Sequence, residues 1–383
     1  CLMGILVGVD GIDASIDKGI DWRGPVADRL YCPTSDGDRC ISDCAREATQ
    51  IINMGHTLGG AARFAPKQGA QFHFTFKGSV QGFQVQSGTA QLSNPDGDAL
   101  HISGKAGARI GTPVFAPSLE VAEYFEKAHY KLMASPRIFP GQQVYAGVSS
   151  ADANLYIAYY GDGDEPCYVD VDSPDDALNP SLHVPTVPGP IFEVGLRLNK
   201  DVSLQLDHVG WQGNPEVTFE RPKHKGLMWK RAWVDAVDQL VGWSEMFRLV
   251  QNEGLGMISQ GTREWTNYVV SADVTPHLVS RAGVAARVQG LTRFYALMVT
   301  LDQKVQLVKS VHAETVLAEA EFNWTLGDTL NMSLHVNGDE LVGEINGAVV
   351  LTATDAALDS GAIGLVVADG RTATNTVTVA PLS

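Results

Sequence analysis

The chain is short of basic residues, short of cysteine and without a long apolar run. Lys and Arg number 28 against 44 Asp and Glu, a formal net charge of −16 at pH 7. No stripe of Lys and Arg is interleaved with aromatics, so nucleic acid is excluded as a partner, because phosphate contacts need clustered cations. No apolar stretch reaches the ~20 residues that span a bilayer. The five cysteines are Cys1, Cys32, Cys40, Cys44 and Cys167. An odd, lopsided set of this kind is not a disulfide framework. Cys40 and Cys44 sit at i,i+4, yet no His or second Cys pair completes a zinc set, and buried thiols are expected. Also missing are a Gly-x-Ser-x-Gly nucleophile elbow, a phosphate-cradling Gly loop opening a helix, and a His-x-x-x-His zinc pair. Leu2 to Val9 is apolar but lacks the basic flank and small-residue cleavage site of a signal peptide. The chain reads as soluble, with its compartment, secretion included, left open.

What is present divides by periodicity. Up to about residue 60 the pattern is helical. Gly4, Gly8 and Gly11 space an apolar segment, Pro25 suits a connector or first turn, and Ser35-Asp-Gly-Asp38 has the form of a helix N-cap. Ile41, Cys44, Ala45, Ala48, Ile51, Ile52 and Leu58 then recur at three and four, which predicts an amphipathic helix over 38–59, ended by Gly59-Gly60. Two or three helices cannot bury their own apolar faces, so this piece is expected to dock on something. It starts at Cys1 rather than Met and is too short to be an enzyme, so it is expected to be cut from, or to complete, something larger.

After a linker at 61–69 the period becomes two. Phe72, Phe74 and Phe76 alternate with polar residues. Short runs follow at 89–92, 99–103, 130–134, 143–148, 155–160, 191–198 and 202–211, broken by Gly, Pro, Asn and Asp. Residues 119–127 fit either a helical insertion or an irregular strand. Pro222-Lys-His-Lys-Gly226 is a second linker, and a further dozen strand candidates lie beyond it. Asn337-Gly338 and Asn346-Gly347 are strong hairpin turns. Many short strands with such turns mean sandwiches or jelly rolls. The expected fold is therefore mainly β: a short N-terminal helical segment with its linker over 1–69, and two β-sandwich (jelly-roll) domains over 70–222 and 223–383.

Three stretches resemble known families. Gly4-Ile-Leu-Val-Gly-Val-Asp-Gly-Ile12 and Trp22-Arg-Gly-Pro-Val-Ala-Asp-Arg-Leu30 are similar to the C-terminal end of the ADP-ribosylglycohydrolase family. That resemblance implies an all-helical parent enzyme with two magnesium ions. The family's metal ligands come from motifs this chain does not contain, so no residue of 1–60 inherits a catalytic role. The magnesium would belong to a missing part of the parent domain. Residues 70–222 resemble galactose-binding-like carbohydrate modules through Val202-Ser-Leu-Gln-Leu-Asp-His-Val-Gly-Trp211. Residues 228–382 resemble concanavalin- or laminin-G-like jelly rolls. That likeness is carried by 261–268, 282–295, Val316-Leu-Ala, Asn337-Gly and Asp355-x-x-Leu-x-x-Gly-x-Ile-Gly364.

Two sites are expected from the residues. A sugar needs a flat aromatic and a few planar hydrogen-bonding groups. Most tryptophans should be core. Trp265, beside Arg263 and Glu264 in a turn opened by Gly261, is the best exposed platform. Arg287, Gln289 and Arg293 flank Gly290 and, with Tyr295, would make a polar sugar site on a concave sheet. Calcium favours clustered oxygen ligands. The acidic loop 162–176 does not fit an EF-hand, whereas a jelly roll would bring Asp207 near Asp96 and Asp98 as a structural calcium site. The leading expectation is the C-terminal portion of a glycosidic-bond hydrolase whose sandwiches bind carbohydrate. Its partners would be a carbohydrate or glycoside ligand, and the missing helical domain or another chain. The alternative is that the sandwiches are structural or assembly modules with no ligand of their own.

Overall fold

The computed structural model describes residues 71–74, 80, 83–114, 136–170, 176–221, 226, 228–241 and 247–382. The helical segment expected over 1–69, the ambiguous run at 119–127 and the strand expected at 130–134 lie outside the described residues. Within them the chain is almost entirely β, with short helical turns at Asp162–Asp164 and Met228–Arg231.

The first sandwich is two antiparallel sheets. One runs, neighbour to neighbour, Ala90–Ser93, Leu100–Gly104, Val202–Gln212, Gln143–Val148 and Ser181–His183, with Gln71–Phe74 paired to the end of Val202–Gln212. The other runs Gln84–Ser87, Arg109–Pro113, Ile191–Leu198, Ala153–Tyr160 and Pro166–Asp170. Alternation decides which face turns inward, because successive strand side chains point to opposite sides. Leu100, Ile102, Leu204 and Leu206 from the first sheet meet Ile110, Leu155, Ile157, Val194 and Leu196 from the second in one buried cluster. The residues between them face out.

The second sandwich is one continuous 13-stranded antiparallel sheet folded on itself. Its spine is Ala362–Pro381, which pairs along one side with Phe247–Gln260. On its other side it pairs first with Arg281–Gly290 and then with Tyr268–Leu278. Tyr268–Leu278 alternates buried and half-buried for ten residues, ending exposed. Arg281–Gly290 and Arg293–Thr300 are instead buried on both faces. Val284, Ala286, Tyr295 and Leu297 enter the main core, while Ala285, Val288, Phe294 and Met298 form a second apolar cluster behind it.

Val217–Glu220 pairs with Ala362–Pro381, so the second sandwich takes up the chain by residue 217, ahead of the 222/223 division suggested by the Pro-Lys-His-Lys-Gly linker. The junction just before it is pinned. The Glu216 amide donates to Pro140 O at 2.8 Å, and the Gln142 side chain donates to Gly213 O at 2.7 Å. Asn214 accepts from the Thr266 amide and donates to Asn267 O, both at 3.0 Å. Each such bond contributes about 1 kcal/mol net, and together they hold the two sandwiches against each other. No helix among the described residues is long and apolar enough to cross a membrane.

Candidate functional site

The outward positions of three adjacent strands build a groove of about 500 Å³ on the first sandwich. Register sets its floor. Gln91 lies opposite Ser103, and Ser103 opposite Ser203; Ser93 lies opposite His101, and His101 opposite Gln205. Two cross-strand rows of polar side chains result, standing over Leu92, Ile102 and Leu204. The Ser103 and Ser203 hydroxyls are 2.8 Å apart, and Gln205 Nε2 is 3.2 Å from His101 Nε2. Ser149 closes one wall, accepting the Gln205 amide at 2.7 Å. The lining is only Ser, Gln, His, Leu and Ile, with no Asp, Glu, Lys or Arg. For a chain of net charge −16 this is an uncharged window. Hydroxyls, amides and an imidazole both donate and accept, which is what a neutral polyhydroxyl ligand requires.

The same face continues along Gln143–Val148 to an aromatic pair. The Tyr145 and His208 rings lie 5.8 Å apart at 57°. Gly147 makes room for His208, since a Cβ there would fall 2.5 Å from its Cε1. His208 Nδ1 is 2.9 Å from Asp207 Oδ2, which orients the imidazole. Asp207, expected to bind calcium, is thus turned to its neighbour, and Asp96 lies 3.6 Å from His101 Nε2. Among the described residues no three His, Cys, Asp or Glu side chains are grouped as a metal site, so Asp207, Asp96 and Asp98 are not brought together as ligands.

The sugar site expected on the second sandwich is a lock, not a platform. Trp265 is fully buried, packed edge-on against Phe139 at 4.8 Å and Tyr268 at 6.0 Å. The expectation that it is exposed is corrected: the Gly261 turn folds its indole inward, and a Cβ on Gly261 would overlap the ring. Arg287, also buried, sits at a bulge with φ +49. Its guanidinium donates to Leu358 O at 2.8 Å and Thr266 O at 3.2–3.3 Å, and burial lowers its pKa. Tyr295 donates to Asp355 Oδ1 at 2.6 Å; burial and then that contact push its pKa up to about 12. Gln289 donates to Ser360 O at 2.8 Å and accepts from Arg293 Nε at 3.4 Å. Arg287, Gln289, Arg293 and Tyr295 do converge, but Arg287, Gln289 and Tyr295 spend their donors on the 355–361 and 266 backbone or on Asp355.

A second polar cluster, missed in the sequence, lies on the outer face of the other sheet of the first sandwich. Tyr156 donates to Glu193 Oε1 at 2.5 Å, and the Arg109 guanidinium stacks 4.1 Å from the Tyr168 ring centre. Asp170 pairs with Arg197 at 2.7 Å and with Arg109 at 3.5 Å. Burial raises the Glu193 pKa, against the lowering effects of Tyr156 and Arg109. A folded-state pKa above the unfolded 4.5 stabilises at low pH, and that stabilisation fades as pH rises through the raised value. Glu193→Gln keeps an acceptor for Tyr156 and removes the titration. Its melting temperature relative to wild type should therefore climb as pH is taken from 4 to 8 (by about 1 °C or more), as thermal unfolding across that range would show. A difference that is flat or shrinking would contradict it.

No family model and no curated protein matches the chain. Among solved structures it is similar to a carbohydrate-binding module, CBM66, from Bacillus subtilis, at 18% identity and TM-score 0.35, covering 38% of this chain and 94% of that one. It is also similar to a Bacillus subtilis protein of unknown function with a galectin-like fold, at 14% identity and TM-score 0.32, covering 39% and 89%. A GH43 protein, a BlXynB mutant from Bacillus licheniformis, aligns at 10% identity and TM-score 0.35, covering 76% of this chain and 65% of that chain. Likenesses at these identities and TM-scores carry no function across.

Proposed function

We propose that the first sandwich is a carbohydrate-binding module that holds a neutral glycan in the groove over Gln91, Ser93, His101, Ser103, Ser203 and Gln205. The supporting observation is the uncharged double row of hydrogen-bonding side chains in a strongly acidic chain. The two rows are about 7 Å apart along the strands and about 10 Å wide across three of them, a footprint for one or two sugar rings. The Tyr145–His208 pair offers an aromatic surface further along the same face. The second sandwich, in which Trp265 is buried and Arg287, Gln289 and Tyr295 bond within the sandwich itself, acts as a rigid support, which is the structural role the alternative reading gave to both. In the wider role, the modules serve a glycosidic-bond hydrolase of the ADP-ribosylglycohydrolase type; the sequence resemblance at 4–12 and 22–30 is the support for that.

An uncharged groove also fixes the salt response. Binding of neutral oligosaccharides to the full chain should change less than about twofold between 50 and 500 mM salt, because neither the ligand nor any Asp, Glu, Lys or Arg lining the groove supplies a charge pair to be screened. Uronic-acid or sialylated oligosaccharides should bind more weakly than their neutral counterparts. A glycan array followed by calorimetry at two salt concentrations measures both. A preference for acidic glycans that salt abolishes would sink the proposal.

A further inference from the structure

The polar face that carries the groove continues past it. Ser149, one of the groove's lining residues, follows directly on Gln143–Val148, whose Val144, Ala146 and Val148 point into the core. Alternation therefore turns Gln143, Tyr145 and Gly147 to the same side as Ser149. Gln205 O accepts the Ser149 amide at 2.9 Å, and Gln212 stands opposite Gln143, so Val202–Gln212 runs alongside for the whole distance. From Ser149 to Gln143 that distance is about 20 Å, at the rise of an extended strand.

The side chains along it come in order. His208 is first, lying over Gly147 with 32% of its side chain exposed. Tyr145 is next, half-buried, its ring tilted against the imidazole. Beyond them stands a third cross-strand polar row: His183 lies opposite Gln143, and Gln143 opposite Gln212. Gln143 and His183 are exposed, and Gln212 Nε2 donates to Gln143 Oε1 at 2.7 Å, which orients the Gln143 amide at the surface. This row has the chemistry of the two in the groove, amides and an imidazole without a charged side chain. Polar rows, a ring surface and a further polar row, in line along two strands, match a linear glycan. Its hydroxyls meet the rows, and the apolar C–H face of a sugar covers Tyr145 and His208. With the two rows of the groove the line is about 27 Å long, room for roughly five sugar units. We propose that the first sandwich binds an extended stretch of a linear neutral polysaccharide laid along Val202–Gln212 and Gln143–Val148, with Tyr145 and His208 as a stacking subsite and His183, Gln143 and Gln212 as a distal hydrogen-bonding subsite. This rests on the groove being a glycan site, and it adds that a disaccharide occupies the groove alone while a longer chain gains contacts beyond it.

Chain length separates the subsites. Cello-, xylo-, manno- and laminari-oligosaccharides, each from disaccharide to hexasaccharide, are titrated into the full chain by calorimetry. In a series that binds, affinity should rise at least about tenfold from disaccharide to pentasaccharide and then level off. Tyr145→Ala should cancel most of that gain and leave the disaccharide within about twofold of wild type. Because Tyr145 is half-buried, a second variant confined to exposed side chains, Gln143→Ala with His183→Ala, accompanies it. That variant should weaken the hexasaccharide by about threefold or more and leave both the disaccharide and the melting temperature unchanged. His101→Ala with Gln205→Ala should weaken every length. Disaccharide binding that depends on His101 and Gln205 but does not grow with length would overturn the extension and leave the groove standing. So would a gain with length that neither Tyr145→Ala nor the Gln143, His183 variant reduces. No binding by any of the four series would overturn the extension, and the groove with it where the array also finds no neutral glycan.

Discussion

Trp265→Ala should lower the stability of the protein by about 3–5 kcal/mol and leave glycan binding by the folded protein unchanged. The indole is fully buried between Phe139 of the first sandwich and Tyr268 of the second, so its removal opens a cavity at the joint of the two sandwiches. Tyr268 in turn donates to Gly361 O at 2.9 Å and accepts the Arg287 amide at 2.6 Å, so the loss would loosen the whole 262–268 and 355–361 corner. Chemical denaturation checks the first half of the expectation and calorimetry the second. An exposed stacking platform would give the reverse: an unchanged melting temperature and lost sugar binding.

Gly370→Ala should be nearly as damaging, at about 3 kcal/mol or more. The strand Ala362–Pro381 passes, at residues 369–370, the corner where Tyr268–Leu278 turns into Arg281–Gly290. A Cβ on Gly370 would sit 1.6 Å from Leu278 O and 2.6 Å from the Val279 Cα, both backbone atoms that no side-chain rotation can clear. Asp369 holds the bend with φ +46, accepting the Gly254 amide at 2.7 Å and the Ser280 hydroxyl at 2.8 Å. The alanine must push the spine strand off its neighbours. For a domain of this size, such a cost is a fall of roughly 6–12 °C in melting temperature, read by thermal unfolding. A change within about 0.5 kcal/mol, the range of an ordinary surface substitution, would mean the strand has room that the structure denies.

Gly370 also shows where the sequence ran out. The run at 362–367 reads as a strand by its apolar pattern, but Asp369 and Gly370 look like a terminus. What carries the strand on to Pro381 is pairing with Tyr268–Leu278, a segment about a hundred residues away in sequence. Strands with clean alternation or continuous apolar runs, such as Arg293–Thr300, Lys304–Val311 and Glu340–Ile345, are legible to the residue, because burial alone dictates them. Gln84–Ser87 is exposed throughout and Ser181–His183 is three residues long. Each is held by its neighbour's backbone, and nothing in its side chains announces it.

The site was harder to read than the fold. Trp265 carries the residue type of a sugar platform, but exposure depends on the turn that folds it inward, which sequence pattern does not encode. The groove residues had the opposite fault. Gln91-x-Ser93, His101-x-Ser103 and Ser203-x-Gln205 are unremarkable as short polar alternations, and each lies on a strand the sequence does indicate. Their significance arises only when register stacks them into two rows across three strands, from segments more than a hundred residues apart. A search for polar residues repeating at i,i+2 on adjacent strands would have found them; a search for aromatic and charged residues passed them by.

The neutral-glycan groove is tested most directly by one titration of the full chain. A neutral oligosaccharide selected on the array is titrated into wild type and into the His101→Ala, Gln205→Ala variant, with the melting temperature of each recorded alongside. Two hydrogen-bonding side chains are lost from one row. Binding should weaken by about 1–3 kcal/mol, roughly fivefold to 150-fold, while stability stays within about 0.5 kcal/mol because both side chains lie on the outer face. Wild-type affinity retained in the variant, with both proteins folded, would show that the glycan binds elsewhere and that the groove is only the solvated side of a sheet.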